Sequence, residues 1–126
     1  LLDDGGGPAA SYSGCVFFKQ DGQTLWTVEN SITTTQKTTQ LTAANSLDGT
    51  AKTAGGASYQ RLRIEVQPHG GSSNDFSFYV DDVLVAKHKD QTYSSATEMN
   101  VIFGVKNGDA NLEKLLVDYV FCYQKR

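Results

Sequence analysis

The run "DFSFYVDDVLVAKH", residues 75–88, carries Asp81 and Asp82 side by side, and paired carboxylates are the equipment of general acid/base chemistry. Glycoside hydrolysis needs two such groups facing each other across the scissile bond, at least about 5 Å apart. Neighbours at the tip of a loop diverge instead. Phe76, Phe78 and Val80 precede the pair and Val83 and Val85 follow it. Asp81-Asp82 therefore reads as the two-residue loop of a β-hairpin, with Val80 facing Val83, Phe78 facing Val85, and all five apolar side chains on one side of the ribbon. Asp tolerates the left-handed backbone of such a loop, and Asp82 stands where Gly would sit with less strain.

The remaining candidates for chemistry are isolated. Glu65 in "RIEVQ" and Asp118 in "LLVDYVF" have no carboxylate partner, and Asp118 is expected to be a buried, hydrogen-bonded structural group. No strand of the E-x-D-x-E type, which would set three carboxylates on one face, occurs in the chain, so no catalytic residue is assigned. Asn107, Asp109, Asn111 and Glu113 in "KNGDANLE" offer an oxygen ligand at every second residue and form a weak calcium candidate, short of the acidic density and fixed loop length of an EF-hand. His69 and His88 lie in turn-like contexts with no Cys or second His beside them, which predicts solvated surface residues. Cys15 and Cys122 show no CxxC spacing and sit in apolar contexts; buried free thiols are expected in preference to a zinc site or a disulfide. The triple glycine at 5–7 is not followed by Gly-Lys-Ser/Thr, so it is no phosphate loop, and no cofactor is expected. Trp26 and Tyr59 could stack on sugar rings but are expected in the core. Arg61 and Arg63, alternating with Glu65, are expected on a solvated sheet face, available to a glycan or a partner.

The elements that must position these residues are strands. The chain has 126 residues, 39% hydrophobic and 20% charged, with twelve Gly and only two Pro, the mix of a single turn-rich all-β domain. Period-two alternation recurs throughout, and no stretch keeps the apolar rhythm of an amphipathic helix. Strands are predicted at about 12–19, 24–29, 32–41, 59–67, 75–80, 83–88, 98–106 and 113–123. Leu62, Ile64 and Val66 should face a core, opposite Arg61, Arg63 and Glu65. "LLVDYVFCY" is apolar on both sides, which predicts a central strand covered on both faces. "ITTTQKTTQL" is polar on both sides, which predicts an edge open to pairing with another chain. Residues 43–58 have the composition of a surface loop with a turn at Asp48-Gly49.

A net charge of −3 gives no electrostatic reason to approach nucleic acid or an anionic membrane. No apolar run approaches the roughly 20 residues of a membrane span, and the first residues lack the features of a signal peptide. The chain opens on Leu1 and not on Met, so it is expected to be the C-terminal part of a larger chain.

From Ser13 onward the motifs resemble those of the concanavalin A-like (laminin G/lectin-type) jelly-roll sandwich. "YQRLRIEV", "DFSFYVDDVLVAKH" and "MNVIFGVKNGDANLEKLLVDYVFCYQKR" follow its order: a W/Y-x-x-L-R-I-x-V strand, an F-Y-V/I-D-G-V-L-V-A hairpin and a closing V-D-Y/W-V element. "CVFFKQDGQTLWTVENSITTTQKTTQL" is similar to its F-x-x-D-G-x-x-W-x-V strand pair and Thr-rich strand. The likeness is to the variants found in tailed-phage virion proteins, such as tail fibres and head-decoration proteins. It departs at Asp82, where the pattern has Gly. The resemblance implies an antiparallel β-sandwich with further strands ahead of the first one here, so that upstream residues or a neighbouring subunit would cover an open edge. It also implies a non-enzymatic virion component with capsid or tail proteins, and further copies of itself, as partners. The same fold serves lectins and glycosidases, so a module binding cell-surface glycan is the second expectation and a hydrolase the third.

Overall fold

A computed structural model describes residues 7–56, 58–92, 100–105 and 114–123. The described residues form six strands in two antiparallel sheets, and none of them forms a helix long and apolar enough to cross a membrane. In the first sheet, β2 (Thr27–Ile32) lies between β1 (Gly14–Phe18) and β3 (Thr35–Gln40). In the second, β5 (Ser73–Val80) lies between β4 (Leu62–Gly70) and β6 (Val83–Thr92).

The two sheets share one core. Val28 and Leu41 come to it from the first sheet and its flank, and Phe76, Phe78, Val80, Val85 and Ala86 from the second. Phe17 of β1 meets Phe78 of β5 edge-on, at 5.6 Å between ring centres and 84° between planes, an arrangement that aligns ring edge with ring face. The loop 43–58 is pinned to this body by backbone: Trp26 N–H donates to Lys52 O and Leu47 N–H to Val85 O. The turn at Asp48-Gly49 forms as composition predicts, with Gly49 at φ 73° and its N–H donating to Ser46 O. The Thr-rich β3 is an exposed, polar edge strand, also as predicted.

Asp81 and Asp82 turn the β5–β6 hairpin. Val80 pairs with Val83, and both aspartates take positive φ, 50° and 66°, the pattern of a type I′ turn. Asp81 is anchored: its Oδ1 accepts from Arg61 N–H at 2.9 Å and its own N–H donates to Arg61 O. Asp82 has only an exposed ion pair with Arg61. Asp82→Gly is therefore expected to stabilise the fold by about 0.5 kcal/mol, the left-handed strain removed outweighing a surface ion pair. A shift of the urea midpoint to higher concentration would register it; a shift to lower concentration would mean that the ion pair outweighs the strain.

Four expectations need correction. Phe78 faces Ala86 and not Val85, because Val85 is an extra residue opposite the Phe78–Tyr79 step, a β-bulge. Val83, beside the loop tip, is exposed. On β4 only Ile64 packs against the core, while Leu62 and Val66 are exposed, since this strand is an edge reaching past the apolar centre. Residues 100–105 and 114–123 lie outside any strand and are exposed throughout. Strand propensity becomes strand only where a partner supplies the ladder, and the central places of the two sheets are held by β2 and β5.

Candidate functional site

The carboxylates nearest the opening question are engaged structurally. Besides the turn aspartates, Glu65 accepts from the Tyr79 hydroxyl at 2.8 Å and pairs with Arg63, whose guanidinium lies 3.6 Å from the centre of the Tyr79 ring. Arg63 is thus a stacked and paired group, half-buried and not freely solvated. Asp118 is exposed, contrary to its expected burial, because residues 114–123 do not enter the core.

Irregularities of register assemble a polar cluster at the far end of the second sheet. His69 falls at the break in pairing between Pro68 and Gly70. Asp75 falls at the shift between Asn74 and Phe76, and Asp90, opposite that shift, takes φ 54°. Bulges of this kind re-aim side chains. His69 Nε2 comes within 2.9 Å of Asp90 Oδ1 and its Nδ1 within 3.5 Å of Asp75 Oδ1. The three groups offer ligand atoms within 4.8 Å of one another, a set able to take a divalent cation. As it stands the set is closed on itself: Asp75 Oδ2 holds Lys87 Nζ at 3.1 Å and its Oδ1 accepts from Asp90 N–H at 3.0 Å. Asp75 is accordingly held below the usual carboxylate range, chiefly by that N–H and then by Lys87. Nothing in the spacing of residues 69, 75 and 90 signals this grouping; only the antiparallel register creates it.

Asp90 and its neighbour Gln91 also border an open cleft of about 350 Å³ between the sheet ends, with Asn30, Ile32, Thr33 and Thr35 on its other wall. Behind it His88 is fully buried, which corrects its prediction as a surface residue. The bulge at Val85 inverts the alternation along β6, so that Ala86 and His88 turn inward. His88 Nδ1–H donates to Asn30 Oδ1 at 2.5 Å, and its Nε2 accepts from the Thr39 hydroxyl at 3.0 Å. Those partners suit the neutral ring, and burial lowers its pKa to about 4, with Lys37 adding to the effect. A second buried polar group, Glu29, accepts from the Tyr12 hydroxyl at 2.8 Å and from the Thr38 hydroxyl across the strand pair.

The other predicted residues separate. Trp26 packs against the core as expected, with Nε1–H donating to Gln60 Oε1 at 2.9 Å. Tyr59 does not; it is 68% exposed, on the approach to β4. Both cysteines are free. Cys15 is half-buried, its thiol pushed up to about 11 by desolvation, whereas Cys122 is exposed and not buried as predicted. The calcium candidates Asn107, Asp109, Asn111 and Glu113 lie outside the described residues.

The largest departure from ordinary surface chemistry is residues 114–123. Leu115, Leu116, Val117, Tyr119, Val120, Phe121 and Tyr123 are each 45–80% exposed. Arg61 lies between the Asp82 carboxylate and the Tyr119 phenol, which together raise its pKa, so this segment runs beside the start of β4. At about 150–250 Å² per aromatic residue, its apolar area is on the order of 1,000 Å², well above the 300–600 Å² of the largest patch on a typical monomer. Comparison of the chain with protein-family models, with curated proteins and with solved structures finds no match.

Proposed function

We propose that this chain is a non-enzymatic structural domain of a tailed-phage virion, a head-decoration or fibre component on a concanavalin A-like β-sandwich, which works through contacts with other proteins. The observation that carries the reading is the exposed apolar stretch 114–123, which in water calls for a protein surface to cover it. The two antiparallel sheets sharing a core and the motif resemblance support the sandwich. Mass spectrometry of purified phage particles tests the role. The chain is expected in the particle at a fixed ratio to the major shell or tail protein, and its presence in the lysate but not in particles would overturn the reading.

A glycan-binding role is the second reading, favoured by the polar cleft beside Asp90 and Gln91 and by the exposed ring of Tyr59. Hydroxyl and amide groups suit sugar hydroxyls, and an open aromatic face suits a pyranose. Glycan-array binding lost in Tyr59→Ala without loss of fold would favour this reading over the first.

A further inference from the structure

We infer that His69, Asp75 and Asp90 form a binding site for a divalent transition-metal ion of the zinc class, which would clamp the three strands of the second sheet together at their far end. The site is independent of the assembly reading. Hydrogen-bonding capacity is the first argument. His69 Nε2 stands 2.9 Å from Asp90 Oδ1 and its Nδ1 3.5 Å from Asp75 Oδ1, and an ionised carboxylate only accepts. A neutral imidazole has a single N–H, so one of its two nitrogens turns a lone pair towards a carboxylate oxygen. A cation removes that repulsion. Lys87 answers only one of the two carboxylates, at Asp75 Oδ2, so the cluster keeps a net negative charge.

Geometry is the second argument. The three residues come from β4, β5 and β6, and each offers a ligand atom within 4.8 Å of the others. Ligands about 2.0–2.1 Å from one zinc ion stand about 3.3 Å apart at the tetrahedral angle and at most about 4.2 Å apart. The set therefore has at most about 0.6 Å to close, a movement open to His69 and Asp90, whose side chains are 53% and 63% exposed. Asp75 is the fixed point. Its side chain is only 9% exposed, and the Asp90 N–H and Lys87 hold it in place. Its Oδ1 faces His69, while Lys87 on Oδ2 is the kind of outer partner that orients a ligating carboxylate. An imidazole nitrogen in the set favours zinc over calcium and magnesium, which take oxygen ligands. The exposed side leaves a further position to water.

Calorimetric titration of the chelator-treated full chain with zinc chloride tests this. Saturable uptake of a single ion per chain is expected, with a higher thermal melt at saturating zinc. His69→Ala should abolish the uptake, and Asp90→Asn should weaken it at least about tenfold. Both side chains are exposed, so the zinc-free melts of these variants should stay where they are. Nitrogen-15 spectra of the imidazoles give the local readout: zinc should shift a ring nitrogen of His69, and calcium chloride should shift neither. Cys122, an exposed thiol, is the rival zinc ligand, and Cys122→Ser should leave the uptake unchanged. Uptake that survives His69→Ala, or that disappears in Cys122→Ser, overturns the site. The absence of saturable uptake below about 1 mM zinc also overturns it, and spectra showing both ring nitrogens of His69 protonated would then identify the cation there as a proton.

Discussion

Truncating Phe78 to alanine is expected to cost about 3–5 kcal/mol of unfolding free energy, the range for emptying an aromatic site in a packed core. Phe78 has no exposed surface and stands where three elements converge. It pairs with Ile64 across β4 and with Ala86 across β6. Its ring meets Phe17 of the first sheet and, at 5.2 Å between centres, His88. Its removal takes away dispersion contacts within one sheet and the main aromatic contact between the two. Set against a total stability of about 5–15 kcal/mol, the loss is a large fraction of the whole. Denaturant unfolding should show a lower midpoint at unchanged slope, with Phe78→Leu falling between the two proteins. A cost under about 1 kcal/mol would mean that the two sheets do not share this core.

Acidification supplies the second large effect. The neutral His88 ring is satisfied by Asn30 and Thr39, and burial lowers its pKa from 6.5 to about 4. The unfolded chain therefore binds the proton more readily than the folded one. Stability from this group is complete above pH 6.5 and drains away as pH falls through the folded value near 4. At 1.36 kcal/mol per pKa unit the window is worth roughly 3 kcal/mol. Carboxylates held low in the fold, such as Asp75, act in the same direction, but in a more acidic window that begins near the ordinary Asp value. Urea midpoints measured from pH 7.5 to 3.5 should fall first in the upper window, and His88→Gln should flatten that part of the profile alone. An unchanged profile in His88→Gln would assign the upper window to another group.

The hairpin was readable in advance because two independent signals agreed. The period of apolar residues from Phe76 to Val85 and the turn chemistry of Asp81-Asp82 both required a tip at the same place. The polar edge at β3 and the loop at 43–58 were readable for a similar reason, composition and position pointing the same way. What stayed hidden depends on register. No residue type announces the bulge at Val85, yet it decides that His88 is inside. The meeting of His69, Asp75 and Asp90 likewise follows from pairing irregularities in three strands, none of which a local window contains. Tyr59 looked like core by side-chain size and by the motif resemblance, and position overruled both. In residues 114–123 the strand pattern was plain, but a pattern specifies a face and not the chain that covers it.

The bulge at Val85 makes β6 a strand read in two phases, and a one-residue insertion beside it would act on the fold much as a frameshift acts on a message. Val85 and Ala86, successive residues, both look inward, and beyond them His88 does. With the hairpin tip held, one residue inserted after Val85 would set Lys87 opposite Phe76 in place of His88 and turn His88 outward, although every other residue kept its identity. Lineages carrying this domain should therefore vary in the length of the loops around β6 far more freely than in the ten residues of the strand itself.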